Sequence, residues 1–186
     1  MSFRSYTGKI DGWTSESELR YLYCQAILTQ GVVEGEVLEV GTWLGLSTSA
    51  LAQADKLVAI DTFKGSNEPA HHKILADKPE RWIYDTFISN MKMAGVLDNI
   101  EVLEGTSDDC LSLLVAHNRK FRLIFVDGSH EYVDVKKDFQ LCKQLLVPNG
   151  VLVMDDYNWP GIKQAADEEL KNVMNVDGKF AIYINR

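Results

Sequence analysis

The sequence predicts an open α/β domain, a mostly parallel sheet with helices on both faces. Short apolar runs such as Leu57-Val58-Ala59-Ile60, Leu123-Ile124-Phe125-Val126 and Val151-Leu152-Val153-Met154 are continuous, as parallel strands buried on both faces require. Helical patterns fill the intervals between them, which is the alternation that parallel crossovers produce. Carboxylates stand at or near four strand ends, namely Glu39, Asp61, Asp127 and the pair Asp155-Asp156. Ligands of open α/β sheets bind beyond those carboxyl ends.

In chain order, Met1 to Trp13 is polar and reads as an extended arm. Ser15-Glu16-Ser17-Glu18 has the form of a capping box, in which a hydroxyl and a carboxylate satisfy orphan amides at a helix start. Leu19, Leu22, Tyr23, Ala26 and Ile27 follow at helical spacing, with Gly31 as the stop. Val37 to Val40 is the first strand and Leu57 to Ile60 the second, separated by a short crossover helix. Ile100–Leu103, Leu123–Val126 and Val151–Met154 give the third to fifth strands, with helices expected over Trp82–Ala94, Asp108–His117 and Tyr132–Leu146. Pro148-Asn149-Gly150 reads as a turn, Ile162 to Lys171 as a helix, Asp177-Gly178 as a tight hairpin turn and Phe180–Ile184 as the last strand. The stretch 62–79 is long and polar, with Gly65, Pro69, Pro79, His71 and His72, and is either a lid loop or a surface excursion.

The 186 residues are expected to form one domain, 1–186, with residues 1–30 as arm and first helix. A formal net charge of -8 argues against nucleic acid or an anionic membrane surface as a general partner. No apolar run approaches membrane-spanning length, and the first residues lack a signal-peptide core. Cys24, Cys110 and Cys142 form no Cys-x-x-Cys pair and read as reduced, mostly buried thiols, so the expected location is cytoplasmic.

Function is concentrated in Glu39-Val40-Gly41-Thr42-Trp43-Leu44-Gly45, a strand end and tight turn that lead into a helix. The glycine pattern of a dinucleotide site fails here, because Trp43 and Leu46 stand where backbone would approach pyrophosphate. No phosphate-loop lysine follows Gly45 either. The turn therefore suits a nucleoside cofactor without pyrophosphate. Asp61 is placed to accept hydrogen bonds from ribose hydroxyls, and Glu39 to pair with a cationic portion.

This turn resembles motif I of class I S-adenosylmethionine-dependent methyltransferases. Val126-Asp127-Gly128-Ser129-His130-Glu131-Tyr132, Pro148-Asn149-Gly150 and Met154-Asp155-Asp156-Tyr157 are similar to a narrower group, the small O-methyltransferase-like family of macrocin and cephalosporin tailoring, distantly related to catechol O-methyltransferase. The resemblance implies a Rossmann-like, seven-stranded sheet of order 3-2-1-4-5-7-6 with an antiparallel last strand. It implies S-adenosyl-L-methionine as cofactor, held by Glu39, Gly41, Thr42, Trp43, Gly45, Ser47, Asp61, Thr62, Thr106, Ser107, Asp108 and Asp127. Ser107-Asp108 also reads as a helix N-cap.

By the same resemblance Asp127, Asp155 and Asp156 match positions that bind a divalent cation, Mg²⁺ or another such as Ca²⁺. Hard oxygen donors at adjacent strand ends suit such an ion. They would serve equally as caps and cofactor contacts in a metal-free site. Catalytic roles fall to Asp127 and to His130, which is either the general base or a structural histidine. Trp159-Pro160 either walls the acceptor pocket or starts a helix. The expected activity is O-methylation of a small hydroxylated acceptor; a metal-independent methyltransferase and a non-catalytic cofactor-binding module are the alternatives. Sugar, polyketide, phenol and peptide hydroxyls all remain open as acceptors, and a homodimer is the family-level expectation.

Overall fold

The computed structural model describes residues 3–66 and 69–186. One sheet holds β1 (Glu36–Val40), β2 (Leu57–Asp61), β3 (Ile100–Glu104), β4 (Phe121–Val126), β5 (Leu146–Met154), β6 (Met174–Asn175) and β7 (Ala181–Ile184). Its order is β3-β2-β1-β4-β5-β7-β6, with β1 to β5 parallel and β7 antiparallel to both neighbours. The expected order and antiparallel last strand are observed. The helices are α1 (Glu16–Gln30), α2 (Leu46–Ala54), α3 (Pro69–Leu75), α4 (Trp82–Ala94), α5 (Ser107–Ala116), α6 (Tyr132–Leu145) and α7 (Pro160–Glu169). No helix among the described residues is long and apolar enough to cross a membrane.

Strand pleating divides the core in two. Val37, Leu57, Ala59, Leu123, Phe125 and Val153 pack with residues of α1, α2 and α4, whereas Leu38, Val40, Ile60, Ile124, Leu152 and Met154 pack with α5, α6 and α7. Side chains alternate along a strand, so Glu39 shares a face with Val37 and Asp61 with Ala59. Both acids therefore sit on the α1/α2/α4 side. The capping box of α1 forms as expected: Glu18 Oε2 accepts the Ser15 amide at 2.6 Å and Ser15 Oγ accepts the Glu18 amide at 3.3 Å.

Several expectations are corrected. The stretch 62–79 is not one loop, because α3 lies inside it; Asn67 and Glu68 fall outside the described residues, as do Met1 and Ser2 of the arm. The arm is not simply extended, since Tyr6 and Ile10 are buried in the core. Pro148-Asn149-Gly150 lies within β5, where the register against β4 slips between Phe121 and Leu123 and Asn149 takes φ 63°. Thr106, rather than Ser107-Asp108, caps α5 by accepting the Asp109 amide. Cys24 is exposed, while Cys110 and Cys142 are buried. Strand β6 has only two residues, too few to leave a hydrophobic period.

Candidate active site

The strand ends are laced together one residue beyond their ladders. The amides of Gly41, Gly105, Asp127 and Asp155 donate to the carbonyls of Ile60, Asp61, Val40 and Val126 at 2.8–3.0 Å. This stitching brings the acids named above to one edge. The turn after β1 is fixed by Asp61: its Oδ2 accepts the amides of Thr42 (2.8 Å) and Trp43 (2.9 Å) and the Thr42 hydroxyl (3.3 Å). Its Oδ1 accepts the Phe63 amide at 2.7 Å. Trp43 and Phe63 both adopt left-handed backbone, φ 49° and 53°, a conformation that non-glycine residues hold only when their surroundings enforce it.

The two glycines have an intramolecular cause that spacing alone did not reveal. A Cβ on Gly41 (φ 86°) would overlap the Asp127 carbonyl, and one on Gly45 (φ 92°) would run into Met91 and Phe87 of α4. Glycine is thus what lets the ends of β1 and β4 touch. Beside the turn, Glu39 is wholly buried and neither carboxylate oxygen has a hydrogen-bond partner. Burial pushes its carboxyl up to about 7, with the neighbouring Ser47 and Thr48 hydroxyls opposing and the Asp61 charge adding. A buried carboxylate without a partner is costly. Thr62 follows Asp61 and accepts the Lys64 amide, while Thr106, Ser107 and Asp108 start α5 at the neighbouring strand end.

Across the edge, Asp127, His130 and Asp156 each present a ligand-type atom, all within 4.8 Å of one another. His130 Nε2 lies 2.9 Å from Asp156 Oδ2. Asp156 is held at φ 50°, and the His130 hydrogen bond and the Lys179 charge lower its carboxyl although burial works the other way. Burial raises Asp127 well above the usual carboxylate range, and the Asp155 charge adds to that. Asp155 stands apart from this trio. Its Oδ2 is 2.8 Å from Lys179 Nζ and its Oδ1 accepts the Asp156 amide at 2.7 Å. Of the acids expected to bind a cation, Asp127 and Asp156 lie together beside His130, and Asp155 is engaged by Lys179.

Aromatic rings border the edge on both sides. Trp159, 45% exposed, stacks on His130 with ring centroids 4.5 Å apart. His71 is no plain surface residue: it stacks on Trp43 at 4.3 Å and 5°, with Trp13 packed near both rings. The sequence does not show what His71, Glu18 and Lys179 meet, because these partners lie far away in the chain. Sequence reasoning also missed Asp138, buried on α6 with Oδ2 unpartnered and pushed up to about 7 by burial.

Sheet order, the motif turn and the acidic edge define the methyltransferase class. Residues 38–157 match the family model for a methyltransferase domain, and the chain belongs to that family. It is 27% identical over 120 residues to the O-methyltransferase hkm8 of Aspergillus hancockii, covering 64% of this chain and 42% of that protein. The chain thus spans less than half the length of this curated relative. Among solved structures it is similar to an O-methyltransferase from Bacillus cereus in complex with SAH (TM-score 0.69, 18% identity, covering 97% of this chain and 86% of that one). It is also similar to the O-methyltransferase TomG of Streptomyces achromogenes, involved in tomaymycin synthesis and in complex with SAM (TM-score 0.69, 21% identity, 93% and 81%). At these identities the structural likeness speaks for the fold.

Proposed function

We propose that this chain transfers a methyl group from S-adenosylmethionine to a hydroxyl oxygen of a small molecule. The observation that carries the reading is Glu39, a buried carboxylate with both oxygens unpartnered beside a turn already locked by Asp61. A cofactor bearing an ammonium and a sulfonium suits such a site, and the residues present fit it. Glu39, Gly41, Thr42, Trp43, Gly45 and Ser47 would surround its methionine portion. Asp61 and Thr62 would meet its ribose, and Thr106, Ser107, Asp108 and Asp127 would border its adenine side. When bound, the cofactor supplies an electrophilic methyl whose sulfur leaves as a neutral thioether.

The protein's part is positioning and deprotonation. The acceptor proton passes to the His130 imidazole, which Asp156 orients from 2.9 Å. Trp159 shields that ring on one face. A divalent cation fits the same edge, since Mg²⁺ needs one or two protein carboxylates and keeps its waters. Asp127 and Asp156 would hold it. Its chemistry there would be to lower the pKa of the acceptor hydroxyl.

The test is calorimetric titration of S-adenosylmethionine into wild type, Asp61→Ala and His130→Ala, followed by turnover on sugar, phenol and polyketide acceptors with Mg²⁺ or chelator. Wild type should bind at about micromolar concentration. Asp61→Ala, which strips the turn of its acceptor, should weaken binding roughly a hundredfold. His130→Ala should bind within about twofold of wild type and turn over about 10²–10⁴ times more slowly. Absence of binding by wild type would end the proposal. Turnover that survives chelation would remove the cation from it.

A further inference from the structure

Lys179 takes no part in the mechanism above, yet its ammonium sits at the centre of the acidic edge. The connection between β6 and β7 is built to aim it there. Asp177 Oδ1 accepts the amides of Lys179 (3.0 Å) and Phe180 (2.7 Å), and Gly178 turns through φ 96°. The Lys179 carbonyl accepts the Tyr157 amide at 2.8 Å, which sews the hairpin to the loop that carries Asp155 and Asp156. Nζ then lies 2.8 Å from Asp155 Oδ2 and 3.8 Å from Glu18 Oε1. Glu18 is itself fixed by the capping box of α1, so three separate segments converge on this one charge. The Asp155 side chain is 3% exposed and its other oxygen accepts the Asp156 amide. Both oxygens of Asp155 are thus engaged by protein donors.

We propose that Lys179 is a positioning residue, the resident cation of this edge, which holds Asp155 out of the divalent-cation shell and leaves Asp127 and Asp156 as its carboxylates. The inference rests on the reading of this edge as a divalent-cation site. A fixed ammonium competes with an incoming ion twice over, by occupying lone pairs of Asp155 and by repelling a second positive charge at close range. Affinity at such sites follows the number of charged ligands. The arrangement therefore tunes the edge toward weak, exchangeable cation binding.

Mn²⁺ binding, read by electron paramagnetic resonance on the whole chain without acceptor or cofactor, tests this. The proteins are wild type, Lys179→Gln, Lys179→Arg, and Lys179→Gln combined with Asp155→Asn. Lys179→Gln should bind Mn²⁺ at least about tenfold more tightly than wild type, because it frees a carboxylate and removes a repelling charge. Lys179→Arg should match wild type, and the double variant should fall back towards it. Equal or weaker binding by Lys179→Gln would overturn the inference. Should that variant not fold, Asp155→Asn alone decides: unchanged Mn²⁺ affinity supports exclusion from the shell, and loss of affinity refutes it. If none of the proteins binds Mn²⁺, the inference falls with the cation reading, while cofactor titration still judges methyl transfer separately.

Discussion

The two ends of the sheet handle charge in opposite ways. At the amino end, Arg119 Nε lies 2.8 Å from Glu36 and its Nη2 2.9 Å from Glu101. Arg122, 3% exposed, reaches Asp55 at 2.7 Å and the carbonyls of Gly35 and Ala26. There, each of these carboxylates meets a guanidinium with geometry suited to it. At the carboxyl end Asp155 meets Lys179, Asp156 meets His130, Asp61 accepts backbone amides, and Glu39 has no hydrogen-bond partner. The difference separates carboxylates closed by guanidiniums from carboxylates that no arginine meets among the described residues. Only the second should change when a cofactor binds.

The sharpest way to break this contrast is Arg122→Met. Removing the buried Arg122 takes the guanidinium from Asp55 and one donor each from the Gly35 and Ala26 carbonyls, at a cost of about 3 kcal/mol. For a chain of this size that corresponds to a fall in Tm of about 6–12 °C. Cofactor affinity should stay within about twofold of wild type, because no contact of Arg122 reaches the carboxyl edge. A melting curve and a titration on the same sample check both halves. A large loss of cofactor affinity in the folded variant would show that the ends are coupled and the contrast false.

Glu39→Gln sharpens it from the other side. Burial pushes the Glu39 carboxyl from 4.5 in a solvated state up to about 7. The folded state therefore holds a proton that the unfolded chain has released, and stability declines as pH rises from about 4.5 to about 7, levelling off above that. The shift corresponds to about 3 kcal/mol at most. Asp138, pushed up to about 7 by burial, slopes in the same direction, so Glu39→Gln should shrink the decline rather than abolish it. Urea unfolding at pH 5.5 and pH 8 reads the difference. Identical pH slopes in wild type and variant would mean that Glu39 is ionised and paired in the folded state, contrary to its burial. A cationic cofactor should favour the ionised form, so S-adenosylmethionine should bind more tightly as pH rises through 7.

How much of this was readable in advance follows the range of the interactions. The turn from Glu39 to Gly45, the strand-end acids and the α1 capping box are local patterns, and each is present where its spacing placed it. The sheet order and the two-residue β6 were legible only through family resemblance, since Met174–Asn175 is too short for periodicity. The pairing of Asp155 with Lys179 spans 24 residues, and the stack of His71 on Trp43 joins α3 to the turn after β1. No spacing rule links such partners, because tertiary packing alone brings them together. The glycines show the subtler failure. Their positions were evident, but their close approach to the Asp127 carbonyl and the α4 side chains was not.

The smallest expected effect concerns the stretch 62–79, in which α3 packs against the turn after β1. Its described part is anchored on the core, where Phe63, 3% exposed, packs against Tyr84 and Phe87 and Leu75 joins the same cluster, and on the turn, where His71 stacks on Trp43. The first anchor belongs to the core, whereas the second lies on a residue of the cofactor turn itself. An aromatic pair of this kind contributes about 0.5–1.5 kcal/mol, so His71→Ala should speed detachment of α3 roughly two- to tenfold while barely moving Tm. Trypsin cleavage at Lys73 and Lys78 in the native protein measures that detachment. In wild type, S-adenosylmethionine should slow the cleavage, because a cofactor seated against Trp43 stabilises the surface that His71 covers. In His71→Ala most of that protection should vanish. Cleavage in wild type that is indifferent to the cofactor would make the segment a surface excursion, and the carboxyl edge would then depend on its carboxylates alone to hold what binds there.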